Sequence, residues 1–295
     1  MQRIFVPTIN DTPSDYFELF SIWQQICSSQ AGVVFDFANC NFLRPNAVAF
    51  LGGATRSAQR AGISVAFDWK TVRSHVMVNL CQNGFAYAFG HGQTPWSGHS
   101  IPYREDSVAA PNPIADYLTD QWLGQGWINI SEALRDAIVG RVWEIYANSF
   151  EHAQSPVGVF SCGQHFKVAN ELILTVVDFG TGIPSKVREY LNSLQIDPRT
   201  LGIPSSALMR WAFKPGNTTT RSTVPRGLGL DFLKQFVRLN KGSLEVYSED
   251  CHAVIDGNGE NYTDLPVKFA GTTVQIKLIC DARFYRLSSE PSKNG

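Results

Sequence analysis

The sequence has no long apolar run, since none of its hydrophobic stretches approaches the roughly 20 residues that a membrane-spanning helix needs. It also has no excess of positive charge, because the formal net charge is −1. Bulk charge therefore gives no support to nucleic-acid binding or to attraction by an anionic membrane. The opening residues MQRIFVPTINDT lack the basic region and apolar core of a signal peptide. These absences predict a cytoplasmic protein that binds neither membrane nor nucleic acid.

Cysteine is scarce, and the six cysteines form no C-x2-C pair, so no zinc site is indicated. We expect buried, reduced thiols. His91 and His99 have no carboxylate or cysteine at ligand spacing, so no metal is expected there. The composition, 44% hydrophobic and 17% charged, is that of a globular chain, and 295 residues suit one large or two ordinary domains.

Helices and strands alternate in residues 1–84, which predicts a small α/β domain with parallel strands. The sequence predicts helix 15–28, strand 32–37, helix 46–61, strand 63–67 and helix 71–82. This stretch resembles the STAS domain, in which a loop after a strand carries a phosphorylatable serine. The corresponding segment, Arg44-Pro45-Asn46-Ala47, has no hydroxyl at that place. The resemblance therefore implies a structural or partner-binding role rather than a phosphoacceptor.

Residues 85–126 are rich in Gly, Pro and Ser and show neither helical nor strand periodicity, apart from a short helical stretch over 114–123. We expect an irregular linker that joins two domains.

The segment Ser131–Ala153 predicts one amphipathic helix. Ser131 suits the N-cap, and apolar residues recur at helical spacing on one face. A polar row formed by Glu144, Asn148 and His152, with Glu151 beside it, follows a spacing of four residues. On spacing alone this row is most simply a solvated face.

Two downstream motifs change that interpretation. The β-branched run Leu172–Val177 ends in Asp178-Phe179-Gly180-Thr181-Gly182, and Arg226-Gly227-Leu228-Gly229-Leu230 opens a helical stretch. Glu-x3-Asn-x3-His, strand-Asp-x-Gly-x-Gly and Gly-Leu-Gly-Leu in this order resemble the GHKL (histidine kinase/gyrase-like) ATPase clan. The resemblance covers about 131–279, and the retained Glu144 brings the pattern closest to the anti-sigma-factor serine kinases.

The resemblance implies an α/β fold in which a C-terminal two-layer α/β sandwich, the Bergerat-type ATP-binding fold, follows the small STAS-like domain. The ATP-binding domain would span 127–281, and 282–295 would be a flexible tail. The sequence predicts its elements as strands 157–166, 171–177, 242–248 and 271–279, helices 184–194, 205–213 and 230–239, a polar lid 214–225, and an exposed hairpin or loop 256–269.

The site would hold ATP and Mg²⁺. In the clan's pattern Asp178 specifies adenine, and Thr272 matches a threonine near that aspartate. Gly180 and Gly182 would let the backbone approach the base and adopt turns that a side chain blocks. Asn148 matches the magnesium ligand, for which an amide oxygen is suitable.

The phosphates need donors. Gly227, Leu228 and Gly229 precede a helix, where free N–H groups can cradle phosphate. Lys214 and Arg226 could add positive charge from the lid, or could be solvated loop residues. Pro225 replaces the pattern's first lid glycine, so lid closure would differ in detail.

Two functions remain open. The first is an ATPase or serine/threonine protein kinase with Glu144 as general base. The second is a nucleotide-gated protein-interaction switch with little or no turnover. Both imply a regulatory or signalling protein partner, and a homodimer is left open.

Overall fold

Two β-sheets organise the fold. A computed structural model describes residues 1–194, 202–217 and 229–291. The first sheet is parallel, in the order β1-β2-β3, and its elements along the chain are β1 (Gln2–Phe5), α1 (Pro13–Ser28), β2 (Val33–Asp36), α2 (Pro45–Arg60) and β3 (Val65–Asp68). The predicted alternation of helices with parallel strands is confirmed, and β1 is an addition that the sequence analysis missed.

The second sheet is antiparallel, with the strand order β4-β5-β6-β8-β7. Its strands are β4 (Ser100–Asp106), β5 (Val159–Phe166), β6 (Glu171–Asp178), β7 (Ser243–Asp256) and β8 (Gly259–Ile279). The remaining helices are α3 (Ser74–Gln82), α4 (Phe85–Ala88), α5 (Pro111–Asp116), α6 (Glu132–Asn148), α7 (Ile183–Ser193), α8 (Ser205–Ala212) and α9 (Gly229–Asn240). The expected mixed α/β class is confirmed.

Side chains on β6 alternate strictly between two hydrophobic cores. Leu172, Leu174 and Val176 pack on the side of α6 and α9. Val177 and Phe179 pack on the opposite side, against α1 and α2. Because successive side chains of a strand point to opposite faces, the antiparallel sheet is a middle layer with helices on both faces.

Helix α2 is shared by the two sheets and is buried along most of its length. Gly52 and Gly53 lie at its centre, where added Cβ atoms would come within 2.1 Å of Tyr103 Oη and 2.3 Å of Phe179 Cε2. These glycines let the antiparallel sheet approach the helix backbone. The N-terminal unit, residues 1–84, thus shares one hydrophobic core with the second sheet.

Four charged side chains also join the N-terminal unit to the second sheet. Arg44 Nη1 lies 3.0 Å from Asp11 Oδ2 and 3.2 Å from Glu171 Oε2. Lys277 Nζ lies 3.3 Å from Asp11 Oδ2 and 3.5 Å from Glu171 Oε1. Each cation therefore contacts both carboxylates, and we call this group the charge cluster.

The expectation of an irregular linker over 85–126 is wrong for much of its length. Residues 100–106 form β4, the edge strand of the second sheet, and α5 continues into a π-helical segment, Tyr117–Leu123. The sequence did not predict this strand because it contains Pro102, and proline is rare within strands. Proline is tolerated here because β4 is an edge strand, and the pairing register shifts between Ile101 and Arg104.

The expectation of a flexible tail is wrong for residues 282–291. Tyr285 is 6% exposed, its N–H donates to Asn129 O at 2.8 Å, and its carbonyl accepts the Ser131 N–H at 2.9 Å. The Ser131 hydroxyl donates to Glu290 Oε2 at 2.7 Å. These hydrogen bonds therefore hold residues 282–291 against the start of α6.

Strands β7 and β8 extend beyond the predicted ends and form a long hairpin over the predicted 256–269 segment. Of the two expected alternatives, a hairpin or a loop, the structure has the hairpin, but buried Tyr262 and Phe269 show that it is not exposed throughout. Within the part of the chain that the structure describes, no helix has both the length and the apolar character to cross a membrane.

Candidate functional site

Asp178 is the last residue of β6, is 2% exposed, and lies on the face of the sheet that packs against α6 and α9. Its Oδ1 accepts the Gly180 N–H at 3.0 Å. Burial raises the pKa of this carboxyl to about 7, against hydrogen bonds from the Gly180 backbone, the Ser149 side chain and the Thr272 backbone that lower it. A buried carboxyl with a strongly displaced pKa is a candidate functional group.

Gly180 and Gly182 lie in the segment between Asp178 and α7. Neither has a positive φ; that of Gly182 is −68°. A Cβ on Gly180 would come within 2.2 Å of Ala153 O, and one on Gly182 within 2.4 Å of Glu249 Cγ. A side chain would therefore be blocked at both positions, as expected, and the reason is close packing against the protein itself rather than a positive φ.

Thr272 lies directly opposite Asp178, across the β6–β8 pair. Its hydroxyl is 2.9 Å from that of Ser248, whose Oγ accepts the Ile183 N–H at 2.9 Å. Glu249, 2% exposed, accepts the Ser185 N–H at 2.8 Å. Two side chains from β7 thus cap the N-terminus of α7 and fix the Gly182 turn.

Asn148 and Glu144 lie on α6, and the hydroxyl of Ser149, the next residue, donates to Ile145 O at 3.2 Å. Asn148 is the exposed last residue of the helix. Glu144 is 40% exposed, and its Oε1 accepts a bond of 2.7 Å from Arg141. The turn that follows α6 contacts the segment after Asp178, since the Thr181 N–H donates to Ala153 O at 2.7 Å. Glu144 lies one turn before Asn148 on α6.

The helix changes to a π-helical turn, Ser149–Ala153, immediately after Asn148. A π-helix closes its hydrogen bonds over five residues rather than four, so the spacing that aligns Glu144 with Asn148 does not continue to His152. His152 lines an open cleft of 330 Å³ between this turn and α7. The side chains lining the cleft come from Glu151, His152, Gln154, Lys186, Glu189, Tyr190 and Ser193.

Lys214, the second residue after α8, is exposed. Gly229 is the first residue of α9. Buried Lys234 ties the two helices together, since its Nζ donates to Phe213 O at 2.6 Å and lies 3.2 Å from Glu260. Arg226, Gly227 and Leu228, with Pro225 and most of the predicted lid, lie outside the described residues.

Three site residues were missed by sequence reasoning: Ser149, Ser248 and Glu249. Ser149 could have been found, because it directly follows Asn148 and is the hydroxyl residue of the Ser-Phe-Glu-His-Ala turn. No sequence signal marks Ser248 and Glu249, which reach the site through pairing of distant strands.

Among residues 1–194, 202–217 and 229–291, no three His, Cys, Asp or Glu side chains are close enough to share a metal ion. A magnesium ion here would therefore depend on Asn148 as a single protein ligand, with phosphate and water oxygens completing its shell, which suits this ion. No protein-family model matches the chain, and no curated protein matches it. Inference about function therefore depends on the site itself.

Proposed function

We propose that the protein binds Mg-ATP in a GHKL-type site and acts as an ATPase or a serine/threonine protein kinase of the anti-sigma-factor type. The observation that carries this proposal is buried Asp178, which ends β6 and pairs with Thr272. The segment just after it contacts the turn that follows Asn148, since the Thr181 N–H donates to Ala153 O at 2.7 Å. The three sequence motifs would otherwise be unrelated, and two of them meet at this carboxyl.

The fold supports the same proposal. Helices α6 and α9 pack on one face of the antiparallel sheet, which suits a Bergerat-type two-layer sandwich. The parallel β1–β3 sheet with α1 and α2 suits a STAS-like unit.

The chemistry of Asp178 fits adenine. An ionised carboxylate has about four lone-pair positions. Its Oδ1 already accepts the Gly180 N–H at 3.0 Å. Lone-pair positions are then left for the exocyclic amine of adenine, and low exposure would make that bond strong and selective.

The proposed metal and general-base roles fall to residues of α6, and the proposed phosphate roles fall to the start of α9, the sequence before it, and Lys214. The amide oxygen of Asn148 would be one magnesium ligand, and the ion would neutralise phosphate charge. Gly229 at the N-terminus of α9, with Arg226, Gly227 and Leu228 before it, would donate to phosphate, and Lys214 would add charge. Glu144 would accept the proton of water or of a substrate hydroxyl after leaving Arg141, which its 40% exposure permits.

The second candidate, a nucleotide-gated protein-interaction switch, is favoured by one observation. Asn46, at the place of the STAS phosphoacceptor, is fully buried and donates to Asn10 O at 2.8 Å. The N-terminal unit lies on the face of the sheet opposite to Asp178. A kinase would therefore need a substrate in trans, whereas a switch would need only a protein partner.

The test is incubation of the full chain with Mg-ATP labelled on the γ-phosphate, following both free phosphate and labelled protein. Asp178→Asn serves as the binding control and Glu144→Gln as the chemistry control. Product formation lost in both variants supports the enzyme. ATP binding without phosphate release or protein labelling supports the switch, provided that Asp178→Asn loses this binding and Glu144→Gln keeps it. Absence of ATP binding in the unmodified chain overturns both the enzyme and the switch.

A further inference from the structure

We propose that Phe179 is a positioning residue for Asp178, and that through it the N-terminal unit forms part of the nucleotide site. The inference rests on the proposed nucleotide binding. Phe179 lies on the face of the sheet opposite to the proposed ligand, so the inference gives the N-terminal unit a role in the site.

Phe179 lies in an aromatic cluster drawn from both parts of the chain. Its ring centroid is 5.1 Å from that of Trp23 on α1, 5.3 Å from Phe50 on α2 and 5.1 Å from Phe269 on β8. The residue is 8% exposed. Contacts on several sides hold the ring in one place.

The backbone at this point has little freedom. Asp178 pairs with Thr272, and the Phe179 N–H donates to Ser155 Oγ at 3.3 Å. A Cβ on Gly271 would come within 2.0 Å of Asp178 O, so β8 lies tightly against this part of β6. Because neighbouring residues of a strand share one pleat, a backbone shift that moves the Phe179 ring also reorients the Asp178 carboxyl on the other face.

Phe179 packs against the N-terminal unit at Gly53 of α2. A Cβ there would lie 2.3 Å from Phe179 Cε2 and 2.7 Å from Phe160 Cδ2, distances that force the ring to move. The helix thus meets β6 at the residue next to the proposed adenine ligand. Site geometry at Asp178 therefore depends on the local contact between Gly53 and Phe179.

Helix α2 offers a matched control one residue away. Gly52→Ala also adds one methyl group, but it meets Tyr103 on β4, two strands away from β6. Alanine favours a helix interior by roughly 1 kcal/mol over glycine, so both variants have the same intrinsic advantage. They differ in which sheet residue they displace.

The experiment measures nucleotide affinity by calorimetry for the full chain and for Gly53→Ala, Gly52→Ala and the milder variants Phe179→Leu and Phe179→Met. Circular dichroism confirms folding at the measurement temperature, and the methionine variant serves if the leucine variant does not fold. We expect Gly53→Ala and the Phe179 variant to weaken binding by about tenfold or more, and Gly52→Ala to match the unmodified chain. Equal affinity in all of them, or equal weakening by both glycine variants, overturns the proposal.

A second readout needs no nucleotide and separates this proposal from the proposed function. The pKa of the Asp178 carboxyl, followed by its carbonyl carbon resonance, should move in Gly53→Ala and Phe179→Leu and stay fixed in Gly52→Ala. If the unmodified chain binds no ATP, the proposed function fails, and this titration alone decides whether Phe179 positions Asp178. Identical titration in every variant overturns the positioning role.

Discussion

Asp178 and Phe179 are neighbours in the chain whose side chains lie on opposite faces of one sheet, the carboxyl toward α6 and the ring toward α2. One residue faces the candidate ligand site and the other faces the N-terminal unit. A single peptide link therefore connects the chemistry of the site with the packing between the two parts of the chain.

Asp178→Asn should make the protein more stable near pH 8 while removing nucleotide binding. At that pH the wild-type carboxyl is ionised although burial disfavours its charge, and the neutral amide avoids that cost, on the order of a few kcal/mol. Urea unfolding at pH 8 measures the gain. A less stable variant at this pH would show that the carboxylate is well compensated and would contradict the pKa of about 7.

Wild-type stability relative to Asp178→Asn should fall as pH rises from about 4 to about 7 and then level off. The folded pKa is raised from 3.8 to about 7, so the native state binds this proton more tightly than the unfolded state does. The stabilising effect of the proton is complete below the unfolded pKa and is lost as pH passes the folded pKa. Unfolding of both proteins between pH 4 and 9 gives the difference, and a flat difference curve would contradict the shift.

Glu144→Gln should leave ATP affinity within about twofold and reduce phosphate release or transfer by roughly a hundredfold or more, since loss of a general base has that scale. Its pair with Arg141 is exposed enough that unfolding free energy should change by less than about 1 kcal/mol. Single-turnover kinetics with labelled ATP measure the effect. Unchanged turnover would remove Glu144 from the chemistry.

Glu171→Gln should destabilise the fold by roughly 1–3 kcal/mol, because it leaves Arg44 and Lys277 with one shared carboxylate in the charge cluster. Glu132→Gln is the control, since Glu132 is 84% exposed and pairs with Arg135 within one helix. Urea unfolding compares the two. Equal, small effects would show that the charge cluster adds nothing to docking of the N-terminal unit.

Tyr285→Ala should cost roughly 3 kcal/mol of unfolding free energy, since the ring is buried and packs edge-on against Phe236. The adjacent Phe284→Ala should be nearly neutral, because Phe284 is 58% exposed. Thermal unfolding of the two variants distinguishes them. Similar melting temperatures would mean that the C-terminal segment does not stabilise α6.

Local pattern was sufficient to predict most helices and strands, and to place Asp178 at the end of a strand. The parallel unit followed from alternation of elements. Strand β4 could not be predicted, because Pro102 and a register shift break its period. The role of α2 was also hidden, although two adjacent glycines in a helix interior carry an intrinsic cost that only close packing explains.

The candidate site also combines residues that the sequence predicts with residues that it does not predict. Asp178, Asn148 and Glu144 belong to sequence motifs, and the sequence brought them forward together. Ser248 and Glu249 arrive by pairing of β7 with β8 and have no local signal. A rule of constant helical spacing could not predict the π-helical turn after Asn148. This turn moves His152 out of the polar row that it would form with Glu144 and Asn148.

The shared position of α2 also has a consequence for synthesis of the chain. The apolar surface around Gly53 stays exposed until Phe160 and Phe179 are synthesised, more than one hundred residues later. Contacts so distant in sequence form slowly, and exposed apolar surface favours aggregation meanwhile. A nascent chain released after the parallel unit is therefore expected to need a chaperone, and that unit cloned alone should be insoluble.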